Sequence, residues 1–241
     1  MPEYLVKFVA RSGAASRRGA AERIKSGRVT VNGIVTADPA VKIDPEHDVV
    51  LCDGRRLHAP DDGEKVYIML HKPRGYTTSH SDAHADKLAV ELIGLAVAGK
   101  LVSAGRLDRD SEGLLIFSND GDFIHRLAHP RYALRKCYLA TADRPLSPAA
   151  RRRMLDGISD GGETLRADEV SPGPSPDTWR IVLHEGKKRE VRRLLKSCGA
   201  ETLRLVRLSL GPVKLGDLAP GKWRHLTRQE LSALLQPAEN A

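Results

Sequence analysis

The sequence predicts an α+β protein built in two parts. Helical and strand patterns follow one another without the regular alternation of a doubly wound sheet. A polar, turn-rich stretch, His58-Ala59-Pro60-Asp61-Asp62-Gly63-Glu64, divides a short first segment from a long second one. Charge is unevenly spread: one early stretch carries Lys7, Arg11, Arg17, Arg18, Arg23, Lys25 and Arg28 against Glu22 alone. The division this gives is a unit over 1–58, a linker over 59–65 and a larger domain over 66–241.

In the first unit, Leu5, Phe8 and Val9 have helical spacing and face a core, and Gly13 breaks the pattern. Ser16 caps a second helix with Ala20, Ala21 and Ile24 as its apolar stripe, and Gly27 ends it. Val29-Thr30-Val31, Asn32-Gly33 and Ile34-Val35 make a hairpin, because Asn-Gly accepts the positive φ of a tight turn. Asp48–Cys52 and Asp53-Gly54 supply another strand and turn.

The second domain opens with a strand at Val66–Leu70 and a turn at Lys72-Pro73-Arg74-Gly75. Residues 80–100 read as helix or loop, Leu114–Phe117 as a buried strand, Asp122–Ala128 as a short helix, and Tyr138–Thr141 as a strand. Ser147-Pro148 starts a helix ending near Gly157, and 171–176 is a surface loop. Trp179–Leu183 is a strand and Lys187–Cys198 a helix, with several short strands after Gly199. Thr227-Arg228-Gln229-Glu230 is a capping box for a last helix that Pro237 terminates.

The chain has 241 residues, 41% of them hydrophobic, and a formal net charge of +8. That balance points to a polyanionic partner, and the basic early helices to nucleic-acid phosphates at Arg11, Arg17, Arg18, Lys25 and Arg28. Cys52, Cys137 and Cys198 are odd in number and widely spaced, which argues against a disulfide framework or a cysteine zinc site. No signal segment or membrane-length apolar run is present, so a cytoplasmic protein without membrane attachment is expected. His71, His80 and His84 lie near Asp82 and Asp86 but lack a metalloprotease glutamate, and residues 79–85 read as a surface loop, so solvent exposure or RNA contact is expected of them and no metal.

Two stretches carry candidate chemistry. Gly105–Phe117 sets Asp108 and Asp110 among arginines just ahead of a buried strand. Asp108 there is either a reactive carboxylate or a turn cap bound to Arg106 or Arg109. Glu185–Arg193 is the densest basic run; on a helix, Lys188 and Arg192, and Arg189 and Arg193, are four apart and line adjacent faces.

Taken in order, the basic helical unit, Lys72-Pro-x-Gly-Tyr76, Gly105-Arg-Leu-Asp-x-x-Ser-x-Gly-Leu-Leu115, His129-Pro-Arg131, Lys136-x-Tyr138 and Glu185-Gly-Lys-Lys-Arg-Glu-Val-Arg-Arg193 resemble one family. It is that of bacterial ribosomal RNA pseudouridine synthases that join an alpha-L (ribosomal S-four-type) RNA-binding domain to a catalytic domain. The resemblance covers nearly the whole chain and implies a mainly antiparallel mixed sheet flanked by helices. It places the catalytic aspartate on Asp108, the active-site tyrosine on Tyr138, the arginine partnering the aspartate on Arg192, and a leucine under the base on Leu205. Arg106, Lys187, Lys188 and Arg189 would hold phosphates. It implies a monomer acting on ribosomal RNA or an assembling subunit.

The implied reaction explains the residue types. Uracil detaches from the ribose, turns and reattaches through its carbon-5, with no redox change and no added atom. No cofactor is needed. One carboxylate suffices, as a nucleophile or as a base at the ribose 2′ position, and an aromatic ring such as Tyr138 can stack on the flipped base. Glu190 stands where the family often has glutamine, which leans the resemblance toward the branch acting on large-subunit rRNA. His71 replaces a common asparagine, and Ser111 replaces a frequent threonine while keeping its hydroxyl. The same residues also allow a non-catalytic RNA-binding factor, or a metal-dependent phosphodiesterase using Asp108 and Asp110.

Overall fold

The computed structural model describes residues 2–58, 63–79, 86–94, 101–129, 132 and 134–236. The chain forms two compact units, Met1–Glu64 and Lys65–Ala241. Residues 59–62 of the expected linker, Asp82, His80, His84, Pro130, Arg131 and Pro237 lie outside the described residues.

The first unit follows its local signals closely. Its elements are β1 (Glu3–Tyr4), α1 (Leu5–Arg11), α2 (Arg17–Lys25), β2 (Val29–Val31), β3 (Ile34–Val35), β4 (Lys42–Ile43), β5 (Val50–Cys52) and β6 (Arg55–Arg56). Leu5, Phe8, Val9, Ala20 and Ile24 are buried with Val29, Ile43, Val50 and Cys52 in one core. The Ser16 hydroxyl accepts the Gly19 N–H at 3.2 Å as the helix cap. Asn32 and Gly33 take φ of 51° and 82°, the primed turn that the right-handed twist of β2 and β3 favours.

The second unit is a nine-stranded sheet flanked by helices. Its strands and helices are β7 (Tyr67–Lys72), β8 (Val102–Ser103), β9 (Glu112–Ser118), α3 (Gly121–Ala128), β10 (Lys136–Ala142), α4 (Pro148–Asp156), β11 (Ile158–Asp160), β12 (Glu163–Leu165), β13 (Glu169–Pro172), β14 (Thr178–Leu183), α5 (Glu190–Ser197), β15 (Thr202–Leu210), β16 (Val213–Lys214), β17 (Trp223–His225) and α6 (Arg228–Leu235). The sheet order is β13-β14-β10-β15-β9-β7-β17, with β16 on β15 and β8 on β9. Apolar side chains on the two faces form two cores, one under α4 and α5 and one under α3 and α6.

Every pairing in this sheet is antiparallel except β9 with β15, where Glu112 faces Val206 and Gly113 faces Arg207. The approach there is too close for any side chain. A Cβ on Gly113, whose φ is +110°, would lie 2.4 Å from the backbone nitrogen and oxygen of Arg207. Among the described residues, no helix is long and apolar enough to cross a membrane.

Two sequence expectations are corrected. Ser171 and Pro172 belong to β13 rather than to a loop. Lys187–Arg189 are not helical: Arg189 has φ 53°, and α5 begins only at Glu190. The expected i,i+4 faces of Lys188 with Arg192 and Arg189 with Arg193 therefore do not form. The β11–β12 hairpin around Gly161-Gly162 was not anticipated.

Candidate active site

Asp108 sits in the turn that feeds β9. The Ser111 N–H donates to the Asp108 carbonyl at 3.0 Å and closes that turn. The segment after β7 pins it from outside. The Gly75 N–H donates to the Arg109 carbonyl at 2.7 Å, and the Thr78 hydroxyl to the Leu107 carbonyl at 3.0 Å. Lys72, at the end of β7, is 0% exposed, and its Nζ donates to the carbonyls of Ser111 at 2.6 Å and Pro73 at 3.1 Å. Burial pulls this ammonium down to about 8, against the opposing pull of Asp110, Asp108 and Glu112, with Arg207 adding to the depression.

A cavity of about 1070 Å³ opens beside the turn. Among its walls are Arg106, Asp108, Tyr138, Leu205, Lys187, Lys188 and Arg189, so most residues picked out by the resemblance share one hollow. Tyr138 is buried on β10 and Leu205 on β15, while Asp108 stays half-exposed at the rim. A second, smaller hollow that also includes Asp108 is lined by Arg74, Arg109, Asp110, Lys188 and Arg189.

The arginines are arranged differently from the expectation. Arg192 lies outside the cavity wall, and its ion pair is with Asp110, at 3.3 Å; it also donates to the Asp110 carbonyl at 2.9 Å. Arg189 is the arginine nearest Asp108, at 3.9 Å, and it holds Asp110 with two hydrogen bonds of 3.0 and 2.9 Å. Asp110 is thus the hub on which both guanidinia converge. Burial works to raise its carboxyl, but the Arg189 hydrogen bonds and the charges of Arg192 and Arg189 outweigh that and hold it below the usual range. Arg193 turns away to Asp160 and Glu163 of the β11–β12 hairpin.

Further polar residues line the cavity, among them Lys136, Glu190 and Arg207. Lys136 Nζ donates to the carbonyls of Leu134, His184 and Glu185 at 3.2, 3.1 and 3.0 Å. Glu190 is 4% exposed; one of its oxygens accepts the Lys187 N–H at 3.0 Å and ties down the start of α5. Burial raises its carboxyl. Arg207 is 2% exposed. In the sequence it stands as an arginine inside the largely apolar run Leu205–Leu210, which does not by itself mark a site.

In the first unit, Arg17, Arg18, Lys25 and Arg28 are exposed. Arg28 is held by Asp53 at 2.5 Å and Arg11 by Glu3 at 2.8 Å, so part of the early charge is answered inside the unit.

Residues 66–197 match the model of the RNA pseudouridylate synthase family, and residues 5–50 match the S4 domain. The chain is 38% identical over 243 residues to a protein of Aquifex aeolicus (strain VF5) called uncharacterized RNA pseudouridine synthase, spanning 95% of this chain and 92% of that protein. It is 35% identical over 233 residues to ribosomal small subunit pseudouridine synthase A of Escherichia coli (strain K12), spanning 96% of this chain and 99% of that protein. A solved structure described as a pseudouridylate synthase superposes with a TM-score of 0.71 at 29% identity, covering 96% of this chain and 99% of the other. The chain therefore belongs to the RNA pseudouridine synthases, enzymes that isomerise uridine to pseudouridine in RNA.

Proposed function

We propose that this enzyme isomerises a uridine of ribosomal RNA, in the cytoplasm and as a monomer, with Asp108 as the catalytic carboxylate. The observation that carries this reading is the single cavity whose wall includes Asp108, Tyr138 and Leu205. A flipped uridine entering it meets a carboxylate at the rim, a buried aromatic ring and an apolar side chain within one volume. Tyr138 stacks on the base and Leu205 packs beneath it. Asp108 either attacks the ribose C1′ or takes the 2′ proton; in both routes it starts as a carboxylate beside the positive charge of Arg189.

Arg192 acts in this scheme through Asp110, which holds Arg192 and Arg189 together next to the Asp108 turn. Arg106, Lys187, Lys188 and Arg189 present positive charge around the opening for the phosphates flanking the target. The S4 unit over 1–58 adds RNA affinity through Arg17, Arg18 and Lys25, with Arg11 and Arg28 beside them. The linker follows, and the catalytic domain begins at residue 66.

The sequence reason for preferring large-subunit rRNA was Glu190. That side chain is buried in the cavity wall and anchors the start of α5, a position that does not distinguish one ribosomal subunit from the other. The E. coli relative carries a small-subunit name. Ribosomal RNA is therefore the substrate proposed, without a choice of subunit. Mapping pseudouridines in both rRNAs of a deletion strain names the target. On that target, Asp108→Asn is expected to cut single-turnover isomerisation at least about 1000-fold while RNA affinity stays nearly unchanged. Full activity of the variant would exclude Asp108 as the reactive group.

A further inference from the structure

We propose that Arg207 is a further catalytic residue, whose guanidinium hydrogen-bonds a carbonyl of the flipped uracil and stabilises the ring as an anion while it is detached from the ribose. The proposal rests on the reading of Asp108 and its cavity as the active site.

Position is the first argument. On β15, Arg207 stands directly opposite Tyr138 of β10 and two residues beyond Leu205. Opposed residues of an antiparallel pair, and residues two apart on one strand, point to the same face. All three line the same cavity. The side chain that shares a face with the stacking tyrosine and the apolar floor is a cation.

Its bonding is the second argument. The Nε of Arg207 donates to the Leu114 carbonyl at 2.7 Å, which fixes the guanidinium plane. Its Nη2 is buried and has no hydrogen-bond partner among the described residues. No described carboxylate lies within the 4.0 Å of an ion pair to it. A buried charged donor left unmatched costs free energy, and a ligand carbonyl would satisfy it.

Electrostatics supply the third. Lys72 and Lys136 flank Arg207 closely enough for its charge to depress both ammonium groups, which burial already lowers. Both lysines are hydrogen-bonded to neutral main-chain carbonyls. Arg207 thus lies in the cavity wall with Lys136 beside it and Lys72 behind it, next to the buried carboxylate of Glu190, and this local excess of cations favours negative charge developing in the transition state.

Isomerisation develops such a charge. When the N1–C1′ bond breaks, its electron pair leaves with the uracil, and the anion is delocalised over N1, O2, C5 and O4. C1′ is left either bonded to an Asp108 oxygen or double-bonded to C2′, whose proton has passed to Asp108. The ring turns, and C5 supplies an electron pair for the new bond to C1′. C1′ then gives up its bond to Asp108, or C2′ takes its proton back. The C5 hydrogen departs as a proton and N1 gains one, so no atom is added or lost. A fixed donor at a carbonyl stabilises the anion through the turn.

The test is single-turnover kinetics at saturating target RNA, using uridine RNA and RNA with 5-fluorouridine at the target. The fluorinated base is a better leaving group, and its detachment is read from the rearranged nucleoside after digestion. Arg207→Met is expected to slow uridine RNA by about 100–1000-fold with affinity retained, and the loss should shrink at least about tenfold on 5-fluorouridine RNA. Arg207→Lys should recover part of the rate. A wild-type rate in Arg207→Met, or equal losses on the two RNAs, overturns the proposal. Should the variants fail to fold, the wild-type enzyme decides. Sulfur in place of O2 or O4 of the target is a poorer acceptor and should slow one of the two thio-RNAs; rates equal to uridine for both overturn the proposal. Asp108→Asn on the same RNA keeps the two readings apart, because its full activity would remove the active-site assignment whatever the Arg207 variants do.

Discussion

Arg189 holds a left-handed backbone, φ 53°, which costs a non-glycine residue on the order of 1 kcal/mol. The two hydrogen bonds to Asp110 and the start of α5 immediately after it keep it there. Its neighbour Glu190 is under a different constraint. One oxygen caps the Lys187 N–H, while the other is buried without a partner among the described residues. Burial raises the folded pKa of this carboxyl above its unfolded value near 4.5. Stability from such a group is fully present below about 4.5 and is lost as pH rises through the folded value. Glu190→Gln keeps an acceptor for Lys187 and removes that loss. The variant is expected to be more stable at pH 7 by about 1 kcal/mol, with the gain vanishing below the unfolded pKa. It should modify the same uridine as wild type; thermal melts and pseudouridine mapping check both points. Asp108, Tyr138 and Leu205, singled out by the family resemblance, line one cavity. Arg207 and Lys72 were not singled out, because a cation in an apolar run does not announce that its partners are carbonyls on distant strands.

Helix ends were the most legible elements, since their hydrogen bonds close within a few residues. Ser16, Ser147 and Thr227 each cap the helix expected of them. The start of α5 at Arg189 was illegible for the opposite reason: the partner of its side chain is Asp110, far away in sequence. The β11–β12 hairpin was hidden because only Ile158 and Leu165 of its six strand residues are buried, too few to set an alternating pattern. For α6, Glu230 closes the Thr227 capping box and also takes a bidentate pair from Arg224, at 2.7 and 2.8 Å. The Arg224 hydrogen bonds lower its carboxyl from 4.5 to about 2. A depressed carboxyl contributes stability that is present above the unfolded value and lost as pH falls through the folded one. Discounted for the partial exposure of the pair, wild type should lose about 1 kcal/mol more than Glu230→Gln as pH drops from 4.5 to 2. Chemical denaturation across that window measures the difference; parallel curves would show that the pair contributes nothing.

At the scale of the molecule, the proposed function divides RNA capture and chemistry between the two units. Arg17, Arg18 and Lys25 are exposed cations of the S4 unit. Reversing all three to glutamate is expected to raise Kd for substrate RNA at least about tenfold and to flatten the salt dependence of binding by about 3 in log–log slope. The single-turnover rate at saturating RNA should stay near wild type. If that rate fell as sharply as affinity, capture and chemistry would not be separable in this way. The fold class and both units were visible from composition, turns and charge, whereas the order of strands in the nine-stranded sheet was not, because it depends on pairings between remote segments.

The parallel junction of the nine-stranded sheet, Gly113 against Arg207, also sets a timetable. The strand following Asp108 leaves the ribosome well before the strand that must lie beside it. Each antiparallel half of the sheet has neighbours to pair with, but the seam between them closes only after β15 is made, and non-local pairing of this kind is slow. Until it closes, Asp108 and Lys72 belong to one piece of a nascent chain, and Tyr138, Leu205 and Arg207 to another. On the proposed mechanism, a chain whose seam is still open has not yet assembled the cavity in which the uridine would react.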